Sequence, residues 1–436
     1  MTAGHGLFRI TRGVTSVQSF QAICQPFLGR LDQAINRGQG PQSSEKGCSL
    51  HRVRAETGSL QLGGSTLDVL GYVPERVARP LEAFSSLDAG HPYRVLGVDR
   101  VAAATRWLAE RLPGLDLRGS ADENMLLATA LGAARPTAIA PATIAAGDLR
   151  RGGPVVFAGV RALKDFVPAL VAANVARAEG VAVQTRAAEA PAAVGGEADV
   201  SPLGMARALE QPSARADVIA ALRTAVGRAD GARVGLPAVL GVDRHREVAE
   251  AVSDALGAEV FEVPTAPPSV PGIRLYRALL SELRALRARL IVGSTAIGPV
   301  RDGNRLAGLE VRVAGRTRAF PATAVVLATG GLAVGGIELD HDGVREAVLG
   351  LPLAGDPGEG RYTKSSFDEQ PIDRLGVRVD AAMRPLDADG GVVHPNLHAA
   401  GALLFGAVPW RELSGNGIAL ASGLAAADAI LSERGA

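Results

Sequence analysis

The residues best suited to chemistry in this chain are glycines and the small polar residues beside them. Val325 to Gly331 reads VVLATGG, three apolar residues running into Ala-Thr-Gly-Gly. A buried strand that ends in small residues lets a ligand approach the backbone, because no side chain intervenes. Thr329 and Gly330 stand at that approach. NLHAAG, Asn396 to Gly401, repeats the device and closes on Gly401. Ser414 then opens SGNGIALASGLAAADAI, glycine-rich at first and strongly helical after. The first N–H groups of such a helix are unpaired and carry partial positive charge. They suit a phosphate or the electron-rich edge of a reduced flavin, with Ser414, Gly415, Asn416 and Gly417 as the contacts. A third cluster, Gly63, Gly64, Ser65 and Thr66, offers small polar lining for a phosphate or a flavin ring. A tight strand-to-helix turn, a capped C-terminal helix and a surface turn would use the same residues. The first two segments occur in the order a flavoprotein with a dinucleotide-binding fold requires.

Other catalytic sets do not stand out. The seven histidines are scattered, and Pro395 prevents a helix from carrying both His394 and His398 as metal ligands. There is no Gly-x-Ser-x-Gly elbow and no phosphate-loop pattern. Arg345 and Lys364 lie in polar segments between the cofactor-like motifs and could meet an anionic substrate, although such residues are more often solvated surface charges.

The elements that must position these residues are α/β in order. VAAATRWLAERL (101–112) has apolar residues at helical spacing. Val155 to Ala158 is a short strand, the spacing from Leu163 to Val175 predicts a helix ended by Gly180, and Val181 to Val183 begins another strand. That unit implies parallel pairing. PTAPPSVP (264–271) is too proline-rich for helix or strand and reads as a stiff connector. Leu275, Leu279, Leu283, Leu286 and Leu290 line one face of a long helix, and Leu306 to Phe320 alternates like a hairpin around Gly315.

Composition narrows the function. The chain has 436 residues, enough for two or three domains, with 47% hydrophobic and 21% charged residues. A net charge of +1 supplies no bulk attraction for nucleic acid or an anionic membrane. Two cysteines, Cys24 and Cys48, cannot hold an iron–sulfur cluster or a disulfide framework. The longest uncharged stretch, Ala319 to Ile337, contains Pro321 and four glycines and reads as strand and turn rather than a membrane span. A cytoplasmic protein is expected. Residues 1–52 differ from the rest: six of the ten glutamines fall between Gln18 and Gln42, and no helical or strand period persists there.

Several segments resemble, in order and spacing, the B-subunit family of anaerobic glycerol-3-phosphate dehydrogenase. They are GGSTLDVLGY (63–72), HPYRVLG (91–97), PTAPPSVPGIRL (264–275), VVLATGG (325–331), GVREAVLGLPL (343–353) and NLHAAGALL (396–404). The resemblance runs from about Val53 to the C-terminus. It implies an α/β flavoprotein fold, a two-dinucleotide-binding-like (Rossmann-type) domain with an inserted α/β domain. The flavin domain would combine 53–140 with 276–436, and 141–275 would be the insert. The family oxidises sn-glycerol 3-phosphate to dihydroxyacetone phosphate and delivers electrons to quinone. Its B subunit carries a flavin, given as FMN. It works with a catalytic A subunit and an iron–sulfur C subunit that joins the pair to the inner face of the membrane. A stand-alone flavin oxidoreductase and a scaffold subunit without cofactor are the rival readings. The family opens with a strand and a Gly-x-Gly-x-x-Gly-like turn that cradles the cofactor phosphate. No strand followed by such a turn is legible in residues 1–52, so the expectation is that this piece is missing and the segment packs poorly. Ala402 follows Gly401 where many FAD enzymes carry an acid, so FMN and FAD both stay open.

Overall fold

A computed structural model describes residues 6–11, 49–54, 59–191, 198–341 and 343–435. Two sheets organise it. The larger has seven strands. Its parallel half runs β9 (Arg289–Val292), β2 (Ser49–Arg54), β1 (Gly6–Thr11), β12 (Arg316–Leu327) and β13 (Leu397–Ala399). The long strand β12 does two jobs. Its first half pairs antiparallel with β11 (Arg305–Val313), which pairs with β10 (Ser294–Asp302); its second half lies between β1 and β13. Val325 to Leu327 is buried on both faces, as expected of a parallel strand covered on either side. The β11–β12 hairpin turns at Ala314 and Gly315, as the alternation foretold.

The first strand corrects the expectation for the N-terminus. Gly6–Thr11 sits inside the parallel sheet, in register with Val325 to Leu327 on one side and with β2 on the other. Six residues, GLFRIT, are too few to establish a period, and the Gln-rich stretch that follows masks them. Residues 12–48, where the glycine turn was sought, lie outside the described residues.

The smaller sheet is wholly parallel, in the order β6 (Val183–Ala190), β5 (Gly153–Val160), β7 (Arg233–Pro237), β8 (Val260–Val263). Helices α2 (Pro168–Val175), α3 (Pro212–Val226) and α4 (His245–Leu256) supply the crossovers. Helix α2 starts later than the spacing suggested, because Pro168 is favoured in a first turn and Leu163 and Phe166 are buried before it. One hydrophobic cluster draws on Leu60 to Ile139 and Leu279 to Ile430, and a second on Leu126 to Val270. The hairpin of β3 (Met125–Ala128) and β4 (Ala134–Thr137) gives Leu126 and Ala128 to the second cluster and Met125 and Leu127 to a small third one with Ala140 and Ile144.

The proline-rich connector ends at Ser269, whose side chain caps α5 (Val270–Ala285) by accepting from the Gly272 N–H. Helix α5 is shorter than its leucine stripe: Arg287 takes a positive φ of 53°, and Leu290 belongs to β9. Helix α1 (Val98–Arg111) packs against α7 (Gly415–Gly435), a 21-residue helix buried over most of its length in the first cluster.

Candidate functional site

Strand β12 ends in the predicted turn. Thr329 is 2% exposed, and its Oγ1 has no hydrogen-bond partner. Gly330 has φ +83°, and a Cβ there would run into the Val334 side chain. A Cβ on Gly331 would meet the Ala402 carbonyl at 2.7 Å. Only glycines can make these approaches. Strand β13 turns beside it: the Ala400 N–H donates to the Leu327 carbonyl (3.0 Å), and Gly401 takes φ +77°. The structure therefore brings Thr329, Gly330 and Gly401 together. The Gly401 N–H donates to Ser422 Oγ at 3.0 Å, which ties this turn to α7.

The start of α7 is built by buried polar contacts. A short helix, α6 (Pro409–Glu412), leads into it through Leu413, at φ +50°. Ser414 is fully buried, and its hydroxyl donates to Glu412 Oε2 at 2.7 Å. The Tyr93 N–H donates to His91 Nδ1 (3.1 Å), so the ring proton sits on Nε2 and points to Glu412 Oε2, also 3.1 Å away. Burial alone would raise the Glu412 pKa, but the bond from His91, with those from the Val408 N–H and Ser414, outweighs it and holds the group below its usual range. The Tyr93 hydroxyl donates to the Val69 carbonyl at 2.5 Å and lies 2.9 Å from that of Ser414; burial pushes its pKa well up and keeps it neutral.

The third predicted cluster meets this helix. The Gly417 N–H donates to the Asp68 carbonyl (3.0 Å), and Asn416 Nδ2 to that of Thr66 (2.9 Å). Gly63, Gly64 and Ser65 share with Asn416 a mainly apolar cavity. Ser65 takes φ +61° and spends its hydroxyl on the Pro271 carbonyl. Thus Gly63, Gly64, Ser65, Asn416 and Gly417 form a second group, joined to Thr329, Gly330 and Gly401 through α7. Ser414 and Ser65 have protein partners for their hydroxyls. The Gly415 and Asn416 amides lie in the first turn, where no intrahelical acceptor exists. An unpartnered buried hydroxyl, glycines at close backbone contact and a helix start fit the contacts a flavin requires.

Residues 43–418 match the FAD binding domain family. A probable B subunit of anaerobic glycerol-3-phosphate dehydrogenase from Halobacterium salinarum is 35% identical over 405 residues, covering 89% of this chain and 93% of that one. The B subunit of the Yersinia enterocolitica enzyme is 31% identical over 411 residues, covering 90% and 95%. This chain belongs to the B-subunit family of anaerobic glycerol-3-phosphate dehydrogenase. It is an oxidoreductase-family flavoprotein, and the parallel sheet with its glycine turns is the flavin-binding α/β fold. Among solved structures, a 3-ketosteroid Δ1-dehydrogenase from Sterolibacterium denitrificans spans 99% of the chain at 12% identity and TM-score 0.44.

In this member of the B-subunit family, the two cations that could meet an anionic substrate lie in exposed segments. Arg345 is half exposed on the hairpin Ile337–Asp340/Gly343–Glu346, paired with Glu338 at 2.6 Å and with Asp340. Lys364 lies in an exposed loop. The structure adds residues that spacing did not point to: His91, Tyr93 and Glu412 behind α7, and the pair Asp68–Arg135 beside it. Their one signal was position, since Glu412 precedes the glycine-rich helix and HPYR (91–94) falls in a family-like segment. Among the described residues, no helix is long and apolar enough to cross a membrane.

Proposed function

We propose that this chain is the flavin-bearing B subunit of a glycerol-3-phosphate:quinone oxidoreductase. The complex oxidises sn-glycerol 3-phosphate to dihydroxyacetone phosphate. Its partners are a catalytic A subunit and an iron–sulfur C subunit that holds the assembly at the inner face of the cell membrane. The observation that carries this reading is near-full-length similarity to proteins named as B subunits of that dehydrogenase, joined to a match with a FAD-binding family over residues 43–418.

Thr329, Gly330 and Gly401 would hold the cofactor through backbone and hydroxyl contacts, and Gly415 and Asn416 through the helix start, with Gly63 to Ser65 beyond them. When bound, a flavin accepts two electrons and can release them singly. The chain's own contribution is positional. Glu412 fixes the bend before α7 by accepting from His91, Ser414 and the Val408 N–H. Asp68 and Thr66 fix the first turn from the other side. The helix start then presents partial positive charge without rearrangement. The cofactor is FMN or FAD. FMN follows the resemblance to the dehydrogenase family, FAD follows the matched domain family, and Ala402 offers no carboxylate to either.

The test is purified chain, alone and with A and C subunits, supplied with glycerol 3-phosphate and an artificial electron acceptor. The expected result is a yellow protein with little turnover alone and strong turnover in the assembly. Robust turnover by this chain alone would favour a stand-alone enzyme, and a colourless chain in an active complex would favour a scaffold.

A further inference from the structure

Three large aromatic side chains stand in solvent on the segments that join the cofactor turns. Phe367 is 89% exposed, Tyr362 63% and Trp410 58%. The other aromatic side chains whose burial is described are buried or half-buried. Tyr362 and Phe367 ride on one loop, and Trp410 belongs to α6, which leads into α7. Arg411 joins the two. Its guanidinium lies 5.3 Å from the centre of the Trp410 ring, and its Nη2 donates to the Phe367 carbonyl at 3.2 Å. The Asp373 carboxylate accepts a hydrogen bond from the Trp410 indole.

The loop is cross-bonded from within. The Gln370 amide donates to Thr363 Oγ1 (2.8 Å) and to the Ser365 and Asp368 carbonyls (2.8 and 2.9 Å), and it accepts the Thr363 N–H at 2.9 Å. Its base is stitched to the chain between Gly401 and Gly415. The Gly406 N–H donates to the Arg374 carbonyl (2.9 Å), and the Val377 N–H to that of Leu403 (2.8 Å). Single exposed aromatics are ordinary, but several on one fixed frame mark an interaction site. Aromatic anchors of this type carry most of the affinity of a protein interface, and a loop ordered in advance loses little entropy on binding. Lys364, Asp368 and Arg411, of both signs, neighbour them in sequence. A block of one sign, suited to steering a transient carrier, is not what stands there.

The frame is the stretch that would hold the flavin at both of its ends, so a body docked on it sits against the cofactor. In the complex proposed above, the A subunit has to deliver its electrons to that flavin. We propose that Phe367, Trp410 and Tyr362 form the docking surface for the catalytic A subunit, with the Phe367 ring entering an apolar pocket of that partner. This rests on the function proposed above and names where on this chain the partner seats.

The experiment titrates the full-length, flavin-loaded chain with purified A subunit by calorimetry, and separately with C subunit, in wild-type form, as F367D and as W410A. Both variants should weaken A binding about 30-fold or more, the effect of losing an aromatic anchor. Flavin absorbance, melting temperature and C binding should stay as in wild type. At limiting A subunit, bleaching of the flavin by glycerol 3-phosphate should slow in the variants and recover as A is raised. F367D changes a side chain in open solvent and carries the test if W410A does not fold. Wild-type affinity for A in the variants, or no binding of A by the wild-type chain, overturns the proposal. So does a loss confined to C binding, or a wild-type dimer in sedimentation that F367D abolishes. Docking that depends on Phe367 in a complex that glycerol 3-phosphate does not reduce would sink the function and leave this surface standing. Equal turnover and equal A binding by F367D and wild type would sink the surface and leave the function.

Discussion

Each lobe holds a buried carboxylate–guanidinium pair, and the two are finished differently. In the smaller lobe, Arg274 of α5 forms two bonds to Glu262 of β8, at 2.7 and 2.9 Å, and donates twice more to the Gly241 carbonyl at 2.8 and 2.6 Å. Glu262 also accepts from Thr143 Oγ1 and the Leu240 N–H. Both side chains are at most 3% exposed. In the larger lobe, Asp68 is as deeply buried, but Arg135 is part exposed and its Nε is unsatisfied. A closed network of that kind locks a fold, because every charge is compensated where it stands. An open one leaves a donor uncompensated and fixes its ends less firmly. The lesson is to read a buried pair as architecture only where every donor and acceptor is satisfied.

The largest effect should come from breaking the closed pair. R274A leaves Glu262 buried and uncompensated, and should cost about 3–5 kcal/mol of stability in urea unfolding. A loss below about 1 kcal/mol would mean that Glu262 is solvated or that the pair is dispensable. Gly330→Ala comes next. It places a Cβ against Val334 in a left-handed backbone, a strain of about 1–3 kcal/mol, and should empty the flavin site while the smaller lobe stays folded. Flavin retained at wild-type stoichiometry would remove Gly330 from the cradle.

A subtler test uses acid. Burial works to raise Glu412, but His91 and its other donors win and depress it below the ordinary 4.5. A carboxylate depressed on folding stabilises above its unfolded-state pKa, and that stabilisation fades as pH falls through the lower folded-state value. The fall in melting temperature below about pH 4.5 should therefore be shallower in E412Q than in wild type. A steeper fall would contradict the hydrogen-bond assignment. The smallest effect belongs to the surface: R345A, which breaks an exposed hairpin pair, should leave KM for glycerol 3-phosphate unchanged, and a raised KM would return Arg345 to the substrate site.

The two halves of the candidate cradle also differ in how far they can be read from sequence. The β12 turn and α7 were legible because each concentrates its signal locally: an apolar run meeting Thr-Gly-Gly, and a glycine-rich start before a helical period. Strand β1 was not, since six residues inside a Gln-rich stretch carry no period and the pairing that defines them lies more than 300 residues away. The end of α5 was overread for a related reason. Leu290 continues the leucine spacing, but the left-handed Arg287 turns the chain into β9 first. The Asp68–Arg135 and His91–Glu412 contacts join residues 67 and 321 positions apart. Nothing local marks such residues, because their meaning is created by the fold that brings them together.

The most direct test of the account is anaerobic spectroscopy of the bound flavin. The purified chain, with its flavin oxidised, is mixed with glycerol 3-phosphate, first alone and then with the A and C subunits. The account predicts that the visible flavin band on this chain persists when it is alone and bleaches promptly when the partners are present. Equal and rapid bleaching without partners, or full turnover by a complex in which this chain carries no flavin, would contradict it.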